Sequence, residues 1–126
     1  MTIRNLDLTF APASVAIVGA SDREGSVGRV VLDNVVGGGF RGAVYPVNLK
    51  YDEVRGMRCY RRIADLPEAP DLAIVMTPPA TVPDLIGELG ARGAKVAVVL
   101  TAGISNANGL RQRMLDAARP HLLRVI

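Results

Sequence analysis

Short apolar runs that alternate with helix-like stretches constrain this fold more than any other feature of the sequence. Continuous apolar runs occupy residues 15–18, 44–47, 72–76 and 96–100. A strand with no polar face must be covered on both sides, which is typical of a parallel sheet. The sequence therefore predicts a sheet buried between two layers of other structure.

Helical stretches follow three of these runs. Apolar residues recur at helical spacing from Val27 to Val35, from Val82 to Leu89 and within residues 107–119. Each stripe can cover one face of a sheet. Strands joined by such helices through right-handed crossovers predict an α/β fold, a Rossmann-like, doubly wound, mainly parallel β-sheet with helices on both faces.

We expect five or six strands, and the middle of the sheet should hold the strands that begin after Ala13, Gly42, Asp71 and Lys95. Pro46 removes one backbone donor from the second strand, which should be irregular or unpaired there.

Weaker elements complete the pattern. Residues 57–60 predict a weak strand, and residues 63–66 predict a helical turn. Residues 122–126 predict a last strand with no connection after it. We therefore expect residues 1–126 to be one domain and the N-terminal fragment of a larger protein.

Composition excludes several classes of function. The apolar runs have about five residues, far short of the roughly 20 that span a bilayer, and the N-terminus lacks a signal pattern, so we expect a cytoplasmic protein without a membrane segment. The net charge of +3 is spread along the chain, and only five residues are aromatic. This balance disfavours a nucleic-acid partner. The single cysteine, Cys59, and single histidine, His121, argue against a disulfide or a metal site.

The most informative stretch joins the first strand to the first helix, at residues 18–28. Gly19 lets the chain turn sharply, and Gly28 lets the helix pack close to the strand. Gly25 and Ser26 stand where the helix begins, so Ser26 can cap it and free amides there can hold a phosphate oxygen. We expect the three adjacent charges at residues 22–24 to be solvated.

The spacing differs from the dinucleotide fingerprint G-x-G-x-x-G, which would need glycine where Ser21 and Glu24 stand. An acidic residue that binds the ribose hydroxyls is also missing after the second strand, where Lys50 is found instead. An ammonium there indicates a phosphate on the ribose. NADP, with its 2′-phosphate, and coenzyme A, with its 3′-phosphate, both satisfy that chemistry.

Five stretches together carry a family resemblance. They are SVAIVGAS at 14–21 with GSVG at 25–28; YPVN and Lys50 at 45–50; Gly56 and Tyr60 ahead of IADLP at 63–67; DLAIV at 71–75 leading to Pro78 and Pro79; and VVLTAGI at 98–104.

These stretches resemble the CoA-binding domain of ADP-forming acyl-CoA synthetases. The same domain is similar to the succinyl-CoA synthetase α-subunit and to the N-terminal part of Pat-like protein acetyltransferases. The resemblance covers about residues 10–126, nearly the whole chain. It implies that the chain binds coenzyme A or an acyl-CoA.

The resemblance also implies which residues bind the cofactor. The phosphate loop falls on residues 24–27 with Ser21 at its entrance, Lys50 meets the CoA phosphates, and two later strand ends line the groove. Leu49 departs from the family, which usually has proline there, and a freer backbone leaves Lys50 less constrained. The expected cofactor-binding residues are Gly19, Ser21, Glu24, Gly25, Ser26, Val27, Asn48, Lys50, Thr77, Pro78, Pro79, Leu100, Thr101 and Ala102.

The family resemblance implies a synthetase whose other domains bind ATP or ADP with magnesium and carry a phosphohistidine. His121 does not match that histidine, and no nucleophile–base pair is visible, so we expect no catalysis by this chain alone. The downstream domains of the same chain are the expected partners, and homo-oligomer formation is left open. The alternatives are an NADP- or NAD-binding oxidoreductase domain and a stand-alone, non-catalytic CoA-sensing domain.

Overall fold

The computed structural model describes residues 11–105 and 107–126. Within these residues, seven strands and three α-helices follow one another as β1 (Ser14–Val18), α1 (Val27–Gly37), β2 (Ala43–Val47), β3 (Glu53–Val54), β4 (Met57–Arg58), β5 (Leu72–Val75), α2 (Val82–Arg92), β6 (Val96–Val99), α3 (Leu110–Ala118) and β7 (Arg124–Val125). Short 3-10 turns lie at Ile63–Asp65, Pro79–Thr81 and Arg119–His121.

Five of the strands form one parallel sheet in the order β2-β1-β5-β6-β7. In its register Val15 pairs with Val44 on one side and with Leu72 on the other. The chain moves outward from β1 to β2 and then returns to the opposite side of β1. The direction of winding therefore reverses between β1 and β5, and ligands bind at such a point in open α/β sheets.

Both faces of the sheet are covered, as the apolar strands predict. Val15 and Ile17 of β1 belong to a cluster with Leu32 of α1. The alternate residues of the same strand belong to a second cluster, with Ile86 of α2 and Met114 of α3. One helix therefore covers one face and two helices cover the other, so the expected doubly wound α/β fold is confirmed.

The position of β2 corrects one expectation. We expected the strand after Gly42 in the middle of the sheet, but β2 is an edge strand and its first three residues are only half-buried. The edge position explains Pro46. Its carbonyl accepts a hydrogen bond from the amide of Tyr60 at 2.9 Å, on the side away from β1. The missing donor therefore costs the main sheet no hydrogen bond.

The predicted weak strand at 57–60 is divided between two partners. Met57–Arg58 pairs antiparallel with β3 in a separate two-stranded sheet. Tyr60 instead forms a parallel bridge with Val47 at the outer edge of β2. The turn expected near residue 63 is present as a 3-10 helix.

The approach of α1 to the end of β1 generates a stability prediction. A Cβ atom added to Gly28 would lie 2.1 Å from the carbonyl oxygen of Gly19, whereas one added to Gly37 of the same helix would meet nothing within 4 Å. We expect Gly28→Ala to lower the free energy of unfolding by about 1–3 kcal/mol, because backbone atoms must move apart. The measurement is urea denaturation followed by circular dichroism.

Gly37→Ala is the matched control. Alanine is the better helix former, so we expect an unchanged free energy of unfolding or a gain of up to about 1 kcal/mol. Equal midpoints for the two variants would contradict the close approach of Gly28 to Gly19.

Candidate functional site

A cleft of about 990 Å³ opens at the carboxyl edge of the sheet, where β1, β2 and β5 end. It lies between the first turn of α1 and the first turns of α2, at the point where the winding reverses. This is the place where an α/β sheet of this order is expected to bind a ligand. Its lining comprises Val18, Gly19, Ser21, Arg23, Ser26, Val27, Gly28, Val47, Asn48, Leu49, Lys50, Tyr51, Arg61, Met76, Thr77, Pro78, Ala80, Thr81, Asp84, Leu85 and Glu88.

The loop between β1 and α1 can turn only because of its glycines. Gly19 has a φ of +103° and Gly25 a φ of +80°, values that residues with a side chain rarely adopt. A Cβ on Gly19 would also lie 3.3 Å from the backbone of Met76, at the end of β5. The predicted sharp turn at Gly19 is confirmed.

Ser26 caps α1, as its position predicts. Its Oγ accepts a hydrogen bond from the Arg29 amide at 3.2 Å and donates one to the Arg23 carbonyl at 2.7 Å. The hydroxyl is therefore occupied within the loop. The amides of Val27 and Gly28 come first in the helix and have no intrahelical acceptor. Unpaired amides at the positive end of a helix dipole are groups that can hold an anion, and here they border the cleft.

Asn48 links the two loops that border the cleft after β1 and β2. Its Nδ2 donates to the Ala20 carbonyl at 2.8 Å, and its Oδ1 accepts from the Lys50 amide at 2.9 Å. The side chain thus ties the loop after β2 to the loop after β1. Because of this link, Lys50 lies over the same cleft as the amides of Val27 and Gly28.

A network outside the cleft holds the loop in place. Asp22 Oδ1 accepts a hydrogen bond from the Arg55 amide at 2.7 Å, and Arg29 Nη1 donates to the Asp22 carbonyl at 3.2 Å. Arg55 lies in the turn between β3 and β4, has a φ of +53°, and binds Asp33 of α1 through Nε at 3.0 Å. All three charged residues at 22–24 are exposed, as expected, and Asp22 in addition accepts the hydrogen bond from Arg55.

The opposite wall is built from threonines and from α2. Thr81 Oγ1 donates to Thr77 Oγ1 at 2.7 Å, and Thr101 Oγ1 donates to the Thr77 carbonyl at 2.8 Å. The second bond connects the ends of β5 and β6, and the first ties the end of β5 to the turn before α2. Asp84 and Glu88, one turn apart on α2, add exposed carboxylates to this wall. The cleft is therefore basic on the side of β2 and acidic on the side of α2.

The structure brings eight of the predicted site residues into the lining: Gly19, Ser21, Ser26, Val27, Asn48, Lys50, Thr77 and Pro78. The other six predicted residues do not line this cleft: Glu24, Gly25, Pro79, Leu100, Thr101 and Ala102. Two of these six still affect the shape of the cleft. Gly25 does so through its positive φ in the loop before α1, and Thr101 through its hydrogen bond to the Thr77 carbonyl.

Sequence reasoning missed the ionic residues Arg23, Arg61, Asp84 and Glu88, and the aromatic Tyr51. The helical spacing of Asp84 and Glu88 beside Leu85 was a signal for one shared face of α2. For Arg61 the sequence holds no such signal.

The lone histidine and cysteine lie outside this lining. His121 is exposed, and its ring packs against Gly90 near the end of α2. That contact lies at the amino edge of the sheet, opposite the cleft. Cys59 is buried, and its burial raises the pKa of the thiol. Among residues 11–105 and 107–126, no group of three or more His, Cys, Asp or Glu side chains is placed to hold a metal, and no helix is long and apolar enough to cross a membrane.

Comparison with known proteins decides the family. A family model described as a CoA binding domain matches residues 13–126. The chain belongs to this family of CoA-binding domains. The family expected from the sequence motifs is confirmed, and the comparisons do not favour the alternative of a dinucleotide-binding oxidoreductase domain.

Relatives of this CoA-binding domain are much longer proteins. An ADP-forming acetate–CoA ligase of Methanocaldococcus jannaschii and a trans-feruloyl-CoA synthase of an unknown prokaryotic organism are each 39% identical over 117 residues, which is 91% of this chain and 16% of each enzyme. The solved structure of the dinucleotide-forming acetyl-coenzyme A synthetase 1 of Ca. Korarchaeum cryptofilum matches with a TM-score of 0.89 and 35% identity, over 96% of this chain and 27% of that one.

The network around Asp22 generates a prediction for the CoA-binding domain. Asp22→Ala removes the acceptor of the Arg55 amide, so we expect a destabilisation of about 1–2 kcal/mol that is confined to the loop. The measurement is hydrogen–deuterium exchange, which should become faster in peptides covering residues 19–26.

Arg55→Gly is the matched control. It keeps the amide that binds Asp22, tolerates the positive φ, and loses only the ion pair with Asp33. We expect loop exchange close to that of the unaltered protein. Faster exchange in this variant than in Asp22→Ala would show that the ion pair, and not Asp22, holds the loop.

Proposed function

We propose that the cleft binds coenzyme A or an acyl-CoA, and that the chain serves as the CoA-binding domain of an ADP-forming acyl-CoA synthetase. One observation carries the proposal. The start of α1, with its free amides, and Lys50 line the same cleft. The chain that holds this cleft belongs to the CoA-binding domain family. A nucleotide that carries several phosphates is the ligand class that matches this arrangement.

The residues present fit such a ligand. The amides of Val27 and Gly28 would hold phosphate oxygens, and Lys50 would hold a second phosphate from the side of β2. A volume of about 990 Å³ suits a cofactor of this size. The α2 wall, with Leu85 between two carboxylates, would repel phosphates and leave its side of the cleft to the uncharged part of the ligand. When bound, coenzyme A supplies the thiol that carries the acyl group.

In our proposal, residues outside this domain select the acyl substrate. Two relatives with equal identity to the chain are an acetate ligase and a feruloyl-CoA synthase, so one type of CoA cleft serves unlike acids. A nucleotide site for ATP or ADP with magnesium would lie on other domains. A protein acetyltransferase as the parent protein, a stand-alone CoA-sensing role, a cytoplasmic location and homo-oligomer formation stay predictions.

Calorimetric titration tests the proposal directly. We expect coenzyme A to bind more tightly than NAD, because NAD lacks a phosphate on the ribose for Lys50 to meet. NADP, which has a 2′-phosphate, and 3′-dephospho-CoA, which lacks the 3′-phosphate, are titrated in the same way. Tighter binding of NAD than of coenzyme A would overturn the proposed function.

Lys50→Ala should weaken the binding of coenzyme A by about 1–3 kcal/mol, the range for a lost charged hydrogen bond. The loss should be smaller for 3′-dephospho-CoA. Lys95→Ala is the matched control, since it removes an equal charge just before β6, at the edge of the sheet opposite the cleft. Its effect should stay within about 0.5 kcal/mol. Equal losses of both ligands in Lys50→Ala would place Lys50 away from the 3′-phosphate.

We also expect residues 1–126 to bind the cofactor and to catalyse no acyl transfer. The sequence after Gly28 contains no second glycine-rich loop with a lysine that would bind a nucleoside triphosphate. Incubation with acetate, coenzyme A and ATP, or with acetyl-CoA and a protein acceptor, should give background product only. Turnover that disappears in His121→Ala would contradict this prediction.

A further inference from the structure

Arg61 lies exposed at the rim of the cleft and is held by one group outside the cleft and one in its lining. Its Nε donates to Asp52 Oδ1 at 2.8 Å, and its Nη1 donates to the Leu49 carbonyl at 3.0 Å. Arg61 lines the cleft beside Lys50, whereas Asp52 is not part of the lining. The carboxylate and the carbonyl thus fix a guanidinium that borders the ligand space.

This guanidinium keeps donors available. It carries more N–H groups than the two bonds use, and their planar arrangement matches the oxygens of a phosphate. Lys50 offers a single ammonium on a flexible chain, so the two cations differ in how they can bind a phosphate. A phosphomonoester with two negative charges can bind both cations at once.

The bond to Leu49 has a second consequence. Leu49 has no ring that fixes its φ, so the backbone before Lys50 has more freedom than a proline there would leave it. Arg61 holds the Leu49 carbonyl and thereby restrains the segment that carries Lys50. One arginine therefore borders the cleft and also positions its neighbouring cation.

We propose that Arg61 is a second phosphate-binding cation which, together with Lys50, selects ligands with a phosphomonoester on the ribose. The inference rests on the proposed function, because it assigns the 3′-phosphate of coenzyme A to this corner of the cleft. A ligand with a phosphomonoester on the ribose would make two charged contacts in this corner, and a ligand without it would make none. This difference in contacts would select the first ligand.

Arg58 provides a matched control for the loss of charge. It lies three residues away, with its guanidinium carbon 5.0 Å from the centre of the Tyr60 ring, and it does not line the cleft. The experiment titrates the unaltered chain, Arg61→Gln and Arg58→Gln with coenzyme A and with 3′-dephospho-CoA by calorimetry. Circular dichroism checks that each variant is folded.

We expect Arg61→Gln to weaken coenzyme A about tenfold and 3′-dephospho-CoA by less than about twofold, and Arg58→Gln to change neither by more than about twofold. If Arg61→Gln does not fold, Arg61→Lys replaces it; it keeps the charge but not the fork, and coenzyme A alone should bind several-fold more weakly.

Two results with the variants would overturn the inference. One is an equal loss of both ligands when Arg61 is changed, and the other is an equal effect of the Arg58 variant. Failure of the proposed function looks different, since the unaltered chain would then bind neither ligand. Binding of both ligands with equal affinity by the unaltered chain would keep the cleft as a CoA site and reject phosphate selection by Arg61.

Discussion

The contact on which the rest of the site depends is the approach of Gly28 to the carbonyl of Gly19. A side chain at Gly28 would overlap that oxygen, so only glycine lets the first turn of α1 lie against the end of β1. The amides at the helix start then point to the sheet edge where β1, β2 and β5 meet. A side chain at Gly28 would therefore push the helix, with its dipole and free amides, away from the end of β1.

The charges around the cleft are divided in a way that suits a ligand with one anionic end. Arg23, Lys50 and Arg61 lie on the side of α1 and β2, and Asp84 and Glu88 lie on α2. A phosphate is attracted to the first side and repelled by the second, so the electric field orients the ligand before contact. Since these side chains are exposed, salt should weaken this effect.

Sequence reasoning recovered what depends on local pattern. The apolar runs predicted the strands of the parallel sheet, helical spacing placed the helices, and the glycine and serine positions predicted the turn before α1 with its cap at Ser26. It failed where order in space departs from order in sequence. An apolar run such as residues 44–47 is compatible with an edge or a central strand. The sequence therefore could not show that β2 lies at the edge. The hydrogen bond between Asp22 and Arg55 could not be predicted, because the two residues lie 33 positions apart.

The edge position of β2 also explains why Arg61 was missed. A central strand would have neighbours on both sides, but the free edge of β2 lets the chain leave at Asn48, form the β3–β4 hairpin and return alongside. Two backbone bonds of 2.9 Å secure that return, from the Tyr60 amide to the Pro46 carbonyl and from the Asn48 amide to the Tyr60 carbonyl. Arg61 is the next residue, so the same two bonds place it close to the carbonyl of Leu49. The proline that looks like a defect in the strand therefore marks the edge along which a second cation reaches the cleft.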